Sequence, residues 1–330
     1  MHVMRFAPLL AMCMAVGACS ESSKPSVPGV AAPVQAAGEQ PRPEPARKTI
    51  ALVMKTLTNP FFVEMERGAT RAEKELGVRL LVKTASQETS IEQQIQIIEE
   101  LIQMKVDAIV IAPGDSLRLV PVLKRAQEAG IRIVNIDNRL DPEAMKKQGL
   151  AQVPFVSVDN EKAAYESVRF IASSVQKPAQ AAIIEGIRSA DNSRQRRRGA
   201  ERAFKENPLI TLVATETANW KIDEGYMVTR QLFTAHPGIS LLFCANDMMA
   251  LGALKFLQES GRQEVKVASY DALEEAREAV KSGRMAVTVD QQAAEQGYQG
   301  VRLARRLIDG ESVPEQVLID TRLITAESVR

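Results

Sequence analysis

Residues 49–62 read TIALVMKTLTNPFF, a stretch that combines a strand, a turn and the start of a helix. The apolar run TIALVM predicts a buried strand, and Pro60 is a typical first residue of the helical segment behind it. Lys55 and Asn59 lie between the two, and Phe61 and Phe62 follow the proline. In α/β folds ligands bind beside such turns, so these four side chains are candidate ligand contacts. A packing role is the alternative for Phe62, and a helix N-cap is the alternative for Asn59.

The same alternation of apolar run and amphipathic helix continues along the chain. The predicted strands are TIALVM, VRLLVKT, DAIVIAP, IRIVNID, PFVSV, AAIIEG, ITLVAT, SLLFCA, EVKVASY and MAVTVD. Strands that alternate with helices form parallel sheets, and burial of both sheet faces explains why these runs are continuously apolar. So many strands exceed one sheet of ordinary size. The sequence therefore predicts an α/β protein with two doubly wound parallel-sheet domains.

Composition and charge narrow the possible partners. The chain has 330 residues, of which 45% are apolar, and 42 basic side chains nearly balance 41 acidic ones. A net charge of +1 provides no overall field that would attract nucleic acid or an anionic surface. The segment RQRRR, residues 194–198, is interpreted as a mainly solvated helix face, because no aromatic residues alternate with the arginines. A nucleic-acid partner is therefore not expected.

The first 19 residues are predicted to be a lipoprotein signal peptide. Arg5 precedes an apolar stretch, residues 6–18, that is shorter than the roughly 20 residues needed to span a bilayer. The stretch ends in Val-Gly-Ala-Cys, which resembles the bacterial lipoprotein processing box and makes Cys19 the candidate for lipidation. An ordinary signal cut elsewhere is the alternative. Residues 20–47 are Pro/Ala-rich and predict a disordered tether, so the body would be exported and lipid-anchored in the periplasm or cell envelope.

Catalytic and cofactor motifs are missing from the sequence. The chain contains neither G-x-G-x-x-G after its first strand nor a G-x-x-x-x-G-K-[ST] loop. Its two histidines are His2, in the signal, and His236, which is interpreted as a helix C-terminal residue. Cys244 is the one cysteine of the body, so a buried, inert thiol is expected there and an intrachain disulfide is not. No enzyme activity, cofactor or metal site is predicted.

Polar residues recur where the predicted strands end. They include Lys55, Asn59, Asp137 and Asn138 in the first half and Glu185, Asn246, Asp271 and Gln291 in the second. Carboxylates and amides can each meet two neighbouring hydroxyl groups, and aromatic faces can pack on the apolar surface of a sugar ring. Trp220, the single tryptophan, lies in a polar junction and joins the candidates. The joint pattern indicates a polyhydroxylated ligand, although each Asp or Asn alone could be a helix cap.

Seven motifs resemble those of the bacterial periplasmic sugar-binding proteins of the ribose-binding type, most closely the D-allose-binding branch. They are TIALVMKTLTNPFF, IRIVNIDNRLD, AAIIEG, RQRRRGAERAF, FCANDMMALGAL, VASYDAL and VTVDQ, in collinear order within residues 49–325. The resemblance implies two similar lobes, joined by a three-crossover hinge, that close over one sugar. The N-terminal lobe would comprise residues 48–158 plus 292–318, and the C-terminal lobe residues 159–291 plus 319–330.

The resemblance also implies roles for individual residues. Phe61 and Phe62 on one lobe and Trp220 on the other would sandwich the sugar ring. Hydrogen bonds to its hydroxyl groups would come from Asn59, Asp137, Arg196, Asn246, Asp271 and Gln291, with Lys55 and Asn138 completing the binding set. Lys55 matches the allose binders, since ribose binders carry Ser there. Asn138 departs from both branches, which have Arg or Glu at this place, and so leaves the identity of the sugar open.

The implied function is extracytoplasmic solute binding. A monomeric protein would capture an allose-like or ribose-like monosaccharide and deliver it to the permease of an ABC importer. The alternative destination is a membrane sensor kinase or chemoreceptor that reads the closed form, and the sequence does not separate the two. Sugar-responsive repressors of the lactose-repressor type share such a body, but they need a helix-turn-helix headpiece where this chain has an export signal and a tether.

Overall fold

Two six-stranded sheets organise residues 47–328, the part of the chain that the computed structural model describes. The elements follow in the order β1 (Thr49–Met54), α1 (Pro60–Leu76), β2 (Arg79–Thr84), α2 (Ile91–Met104), β3 (Ala108–Ile111), α3 (Val120–Glu128), β4 (Arg132–Ile136), α4 (Pro142–Gln148), β5 (Phe155–Ser157), α5 (Asn160–Ala172) and β6 (Ala179–Glu185). The second half contains α6 (Asp191–Lys205), β7 (Ile210–Thr217), α7 (Ile222–Ala235), β8 (Ile239–Cys244), α8 (Asp247–Glu259), β9 (Lys266–Ala268), α9 (Glu274–Lys281), β10 (Val287–Asp290), α10 (Ala293–Ile308), β11 (Gln316–Leu318) and β12 (Arg322–Thr325).

The strand order of both sheets is that of a doubly wound fold. The first sheet runs β11-β5-β4-β3-β1-β2 and is parallel throughout. The second runs β12-β10-β9-β8-β6-β7 and is parallel except for β12, which pairs antiparallel with β10. We call the half built on the first sheet the N-terminal lobe and the other half the C-terminal lobe. The predicted fold class is confirmed.

All ten predicted strands are present, and two further strands were missed. β11 and β12 contain three and four residues and lie at the edges of their sheets, with most of their side chains partly exposed. Short, half-exposed strands lack the continuous apolar run that marks a buried parallel strand. Three connections join the two sheets, from β5 to β6, from β10 to β11 and from β11 to β12.

Three helix pairs, α1 with α10, α5 with α6 and α7 with α8, share one packing device. One helix of each pair carries Gly, and seven residues later, at or directly after the end of that helix, a Glu carboxylate accepts a 2.7 Å hydrogen bond from a Tyr hydroxyl of the other helix. The sets are Gly68, Glu75 and Tyr298; Gly199, Glu206 and Tyr165; and Gly252, Glu259 and Tyr226. A Cβ on any of these glycines would lie within 2.2 Å of a backbone oxygen of the partner helix. Both lobes therefore contain the same close helix contact.

Two observations bear on the predicted environment of the chain. Cys244 is buried, as predicted, and burial raises the pKa of its thiol, which keeps it protonated and unreactive. Between residues 47 and 328, no helix combines the length and the apolar character that crossing a bilayer requires. The signal peptide, Cys19 and nearly all of the tether lie outside the described residues.

Candidate functional site

The carboxyl ends of the two sheets border one small cavity between the lobes. Its lining contributes Lys55, Asn59, Phe61, Phe62, Glu88 and Asp137 from the N-terminal lobe side, and Asn192, Arg196, Trp220, Asn246, Asp271 and Gln291 from the C-terminal lobe side. The space between these side chains that protein atoms do not fill is about 230 Å³, including the part that is open to solvent. The structure thus brings together ten of the eleven predicted residues, and Asn138 is the exception. Glu88 and Asn192 were not predicted.

The β1–α1 turn forms one wall of the cavity. Asn59 caps α1, because its Oδ1 accepts a hydrogen bond from the Phe61 backbone N–H at 3.1 Å, while its Nδ2 donates to Glu88 at 3.0 Å. Phe61 and Phe62 are 4% and 1% exposed, and their rings meet edge to face at 5.1 Å. Both rings belong to the hydrophobic core as well as to the cavity wall. The cap considered for Asn59 and the packing role considered for Phe62 are therefore both present.

A buried lysine links two carboxylates on the N-terminal lobe. Lys55 Nζ lies 2.8 Å from Asp137 Oδ2 and 3.8 Å from Glu88 Oε2, and all three side chains are less than 10% exposed. Burial raises the pKa of Glu88, although the Lys55 charge opposes this shift. The single positive charge of Lys55 is therefore shared between the carboxylates of Asp137 and Glu88, in a buried environment where water does not screen the charges. The carboxylate and amide oxygens that remain are strong hydrogen-bond acceptors for a bound hydroxyl group.

Arg196 organises the opposite wall. The side chain is 2% exposed, and it donates from Nε to Asn160 Oδ1 and from Nη1 to the Ala245 carbonyl, both at 2.8 Å. Longer bonds reach Asp271 at 3.4 Å and Gln291 at 3.3 Å. Burial raises the pKa of Asp271, and the Arg196 charge opposes this shift. As predicted, Arg196 points inward, whereas the side chains of its arginine neighbours on α6 are one third to one half exposed.

Several cavity residues adopt the left-handed backbone conformation that side chains usually avoid. The φ angle is +61° at Asp137, +67° at Trp220 and +116° at Asp271. Such conformations cost free energy and persist only where the surroundings hold them. Behind Asp271, the buried Asp247 carboxylate accepts hydrogen bonds from the Leu273 N–H and the Thr288 hydroxyl, both at 2.8 Å. Asp247 therefore fixes the turn that presents Asp271 to the cavity.

Trp220 lines the cavity from the C-terminal lobe, whereas the two phenylalanines line it from the N-terminal lobe. Its ring is 4% exposed and packs on the Gly186 backbone so closely that a Cβ on this glycine would lie 2.1 Å from the ring. The Trp220 carbonyl accepts a 3.4 Å hydrogen bond from Asn246 Nδ2, while Asn246 Oδ1 caps α8 through the Met249 N–H. Within residues 47–328, the indole N–H has no hydrogen-bond acceptor. It is thus available to a bound molecule.

Asn138, the eleventh predicted residue, does not line the cavity. Its Nδ2 donates to the Pro113 carbonyl at 2.9 Å, and its Oδ1 accepts from the Asn192 backbone N–H at 3.2 Å. The side chain is fully buried and its carboxamide already has a partner at each end. In this structure Asn138 joins the two lobes, and its predicted contact with the ligand stays a prediction.

Two cavity residues, Glu88 and Asn192, were not predicted from the sequence, for different reasons. Glu88 follows β2 at the same edge of the sheet as Lys55, so the strand-end rule that found Lys55 also applies to Glu88. Asn192 lies within the first turn of α6 and reaches the cavity only because the lobes meet. No sequence signal distinguishes it from its neighbours.

Among residues 47–328 there is no group of three or more His, Cys, Asp or Glu side chains that could hold a metal ion.

Comparison with known proteins places this geometry in a family. Residues 50–312 match a family model described as periplasmic binding protein domain. The chain is 39% identical to the D-ribose/D-allose-binding protein of Pseudomonas aeruginosa, over 81% of this chain and 84% of that protein. It is 34% identical to the D-allose-binding periplasmic protein of Escherichia coli, over 83% of this chain and 91% of that protein.

A solved structure agrees with these sequence matches. It is an ABC transporter periplasmic solute binding protein from Actinobacillus succinogenes with bound D-allose, 37% identical to this chain. The match has a TM-score of 0.81 and covers 86% of this chain and 99% of that one. The predicted family resemblance is confirmed, and the chain belongs to the periplasmic binding proteins, as a solute-binding component of the sugar-importing ABC transporter type.

Proposed function

We propose that this protein captures an aldose resembling D-allose or D-ribose between its two lobes and delivers it to the permease of an ABC importer. The observation that carries the proposal is the cavity itself, which aromatic rings and buried hydrogen-bonding groups from both lobes line together. Aromatic faces suit the apolar surface of a pyranose or furanose, and the polar groups suit its hydroxyls. The relatives named for ribose and allose support this choice of ligand class.

The proposed contacts divide between the lobes. Phe61, Phe62 and Trp220 hold the two faces of the sugar, and its hydroxyl groups are bound by Lys55, Asn59, Asp137, Arg196, Asn246, Asp271 and Gln291. The lobes move about the three connections near residues 158–159, 290–291 and 318–321. A ligand that contacts both lobes favours the closed form by its extra affinity for that form. The permease reads the closed form, and the sensing alternative gains no support from the relatives.

Location and assembly belong to the same proposal. The family is exported to the periplasm, and we propose that Cys19 carries a lipid anchor with residues 20–47 as its tether. The protein acts as a monomer and does not catalyse a reaction. Replacing Cys19 by Ala should move the protein from the membrane fraction to the soluble fraction. Retention of the variant in membranes would contradict the anchor.

Ligand binding is tested by calorimetry and thermal shift with D-allose, D-ribose, other aldoses and inositols. For one site the stabilisation follows RT ln(1 + [L]/Kd), about 2.7 kcal/mol at a ligand concentration of 100 Kd. Arg196→Ala and Asp271→Ala should abolish the shift, whereas Arg198→Ala, a half-exposed neighbour on the same helix, should not. If a nucleoside or an amino acid stabilises the protein and no carbohydrate does, the sugar assignment is wrong.

A further inference from the structure

Asn192 is the cavity residue that bonds directly to the opposite lobe. It is the second residue of α6 and is 3% exposed. Its backbone N–H donates to Asn138 Oδ1 at 3.2 Å, and its Nδ2 donates to Asp137 Oδ1 at 3.3 Å. Next to it, the Asp191 backbone N–H donates to Ser116 Oγ at 3.0 Å. The start of α6 is therefore fastened to two loops of the N-terminal lobe.

The chemistry of the partners fixes which way both amide groups point. A carboxylate accepts hydrogen bonds and does not donate them, so the Asn192 group that faces Asp137 must be Nδ2. A backbone N–H only donates, so the Asn138 atom that faces it must be Oδ1, and Nδ2 then faces the Pro113 carbonyl. In consequence, both donors of this contact come from Asn192, and its amide oxygen is turned away from Asp137.

The Asn192 side-chain oxygen, Oδ1, takes no part in the hydrogen bonds of this contact. It is buried, and no donor reaches it from within residues 47–328. A buried acceptor without a partner is unfavourable, and the side chain borders the same cavity as Asp137, Arg196 and Trp220. A hydroxyl group bound in the cavity can donate to this oxygen. Asn138, in contrast, does not line the cavity.

We propose that Asn192 is a specificity-determining residue that reads one hydroxyl group of the sugar while it joins the lobes. Its oxygen accepts from the ligand, and its two donors hold Asp137 and Asn138, so recognition at this position is coupled to closure. Asn138 acts through Asn192 and does not contact the ligand. The proposal rests on the proposed function, since it assumes a monosaccharide in the cavity. Coupling follows because a ligand favours closure by the contacts that it makes only in the closed form.

The test measures affinities for D-allose and for its series of monodeoxy derivatives. Asn192→Leu keeps the size of the side chain and removes its oxygen, so D-allose should bind about 10-fold to 100-fold more weakly. One monodeoxy sugar, the one that lacks the hydroxyl read by Asn192, should lose much less affinity from this substitution than the others. Asn138→Ala should weaken all the sugars by a similar factor, mainly through faster release. Lys205→Gln, an exposed change on the same helix, is the control, and melting temperatures verify folding.

Each outcome decides a different point. If the wild-type protein binds sugars and Asn192→Leu weakens the whole series by one factor, Asn192 joins the lobes without reading a hydroxyl, and the specificity proposal is wrong. An Asn192→Leu variant that binds as the wild type does overturns both parts of the proposal. If Asn138→Ala alters the ranking of the sugars, Asn138 contacts the ligand after all. Failure of the wild type to bind any sugar would refute the proposed function, and the ligand part of this proposal with it.

Discussion

Gly186 should control ligand affinity through Trp220, although it is not a predicted ligand contact. A Cβ on Gly186 would lie 2.1 Å from two carbons of the indole ring and 2.3 Å from a third. Carbon atoms pack at about 3.5–4.0 Å, so in Gly186→Ala the ring must retreat by roughly 1.5 Å or rotate away. The Trp220 backbone has little freedom to follow, because both Asn219 and Trp220 already have positive φ angles.

The expected loss follows from what the ring contributes. An aromatic contact adds about 0.5–1.5 kcal/mol beyond area burial, and displacing the ring also exposes one face of the ligand. We therefore expect Gly186→Ala to cost about 1–3 kcal/mol of binding free energy, a factor of about 5 to 150 in Kd. The folded state should survive, because the ring can swing toward the cavity or the solvent.

Calorimetric titration with D-allose measures this effect in a double-mutant cycle with Trp220→Ala. If Gly186 acts only through the indole ring, Gly186→Ala should cost nothing further once the ring is gone. Gly238→Ala is a matched control, because its new methyl would meet only the flexible end of Gln180. The reasoning fails if Gly186→Ala weakens binding by the same factor with and without Trp220, or if it leaves Kd unchanged.

Three further outcomes follow from the same structure. Burial raises the pKa of Asp247 to about 6, so its contribution to stability is complete below about pH 4 and is lost as the pH rises through 6. In urea unfolding, Asp247→Asn should remove about 3 kcal/mol of the change in the free energy of unfolding with pH. If the free energy of unfolding of the variant depends on pH as that of the wild type does, this reasoning is wrong. Gly68→Ala should lower the free energy of unfolding by about 1–3 kcal/mol and Tyr298→Phe by at most about 1 kcal/mol; the reverse order would refute the packing account. Lys55→Met leaves two buried carboxylates without their cation, so sugar affinity should fall at neutral pH. Because burial raises the pKa of Glu88, affinity should partly recover as the pH is lowered and Glu88 takes up a proton, whereas a loss independent of pH would argue against this.

The sequence predicted the fold because its main signals are local. Continuous apolar runs such as residues 49–54 mark buried parallel strands wherever they occur, and all ten predicted strands are present. β11 and β12 were not predicted, because these short edge strands contain no continuous apolar run. Most of the cavity could also be predicted, since the ends of parallel strands meet at one edge of a sheet. Lys55 and Asp137 follow strands directly, and Asp271 lies three residues beyond β9.

What the sequence determined by itself was therefore the two lobes and the side chains at their facing edges. The tertiary structure alone decided which neighbouring side chain enters the cavity and which one joins the lobes. Asp137 and Asn138 are adjacent and similar in size, yet a left-handed turn directs the first toward Lys55 and the second toward Pro113 and Asn192. Asn192 lies 54 residues farther along the chain from Asn138, and no local pattern links the two. Their contact depends on how the lobes meet, a long-range property that local propensities do not contain.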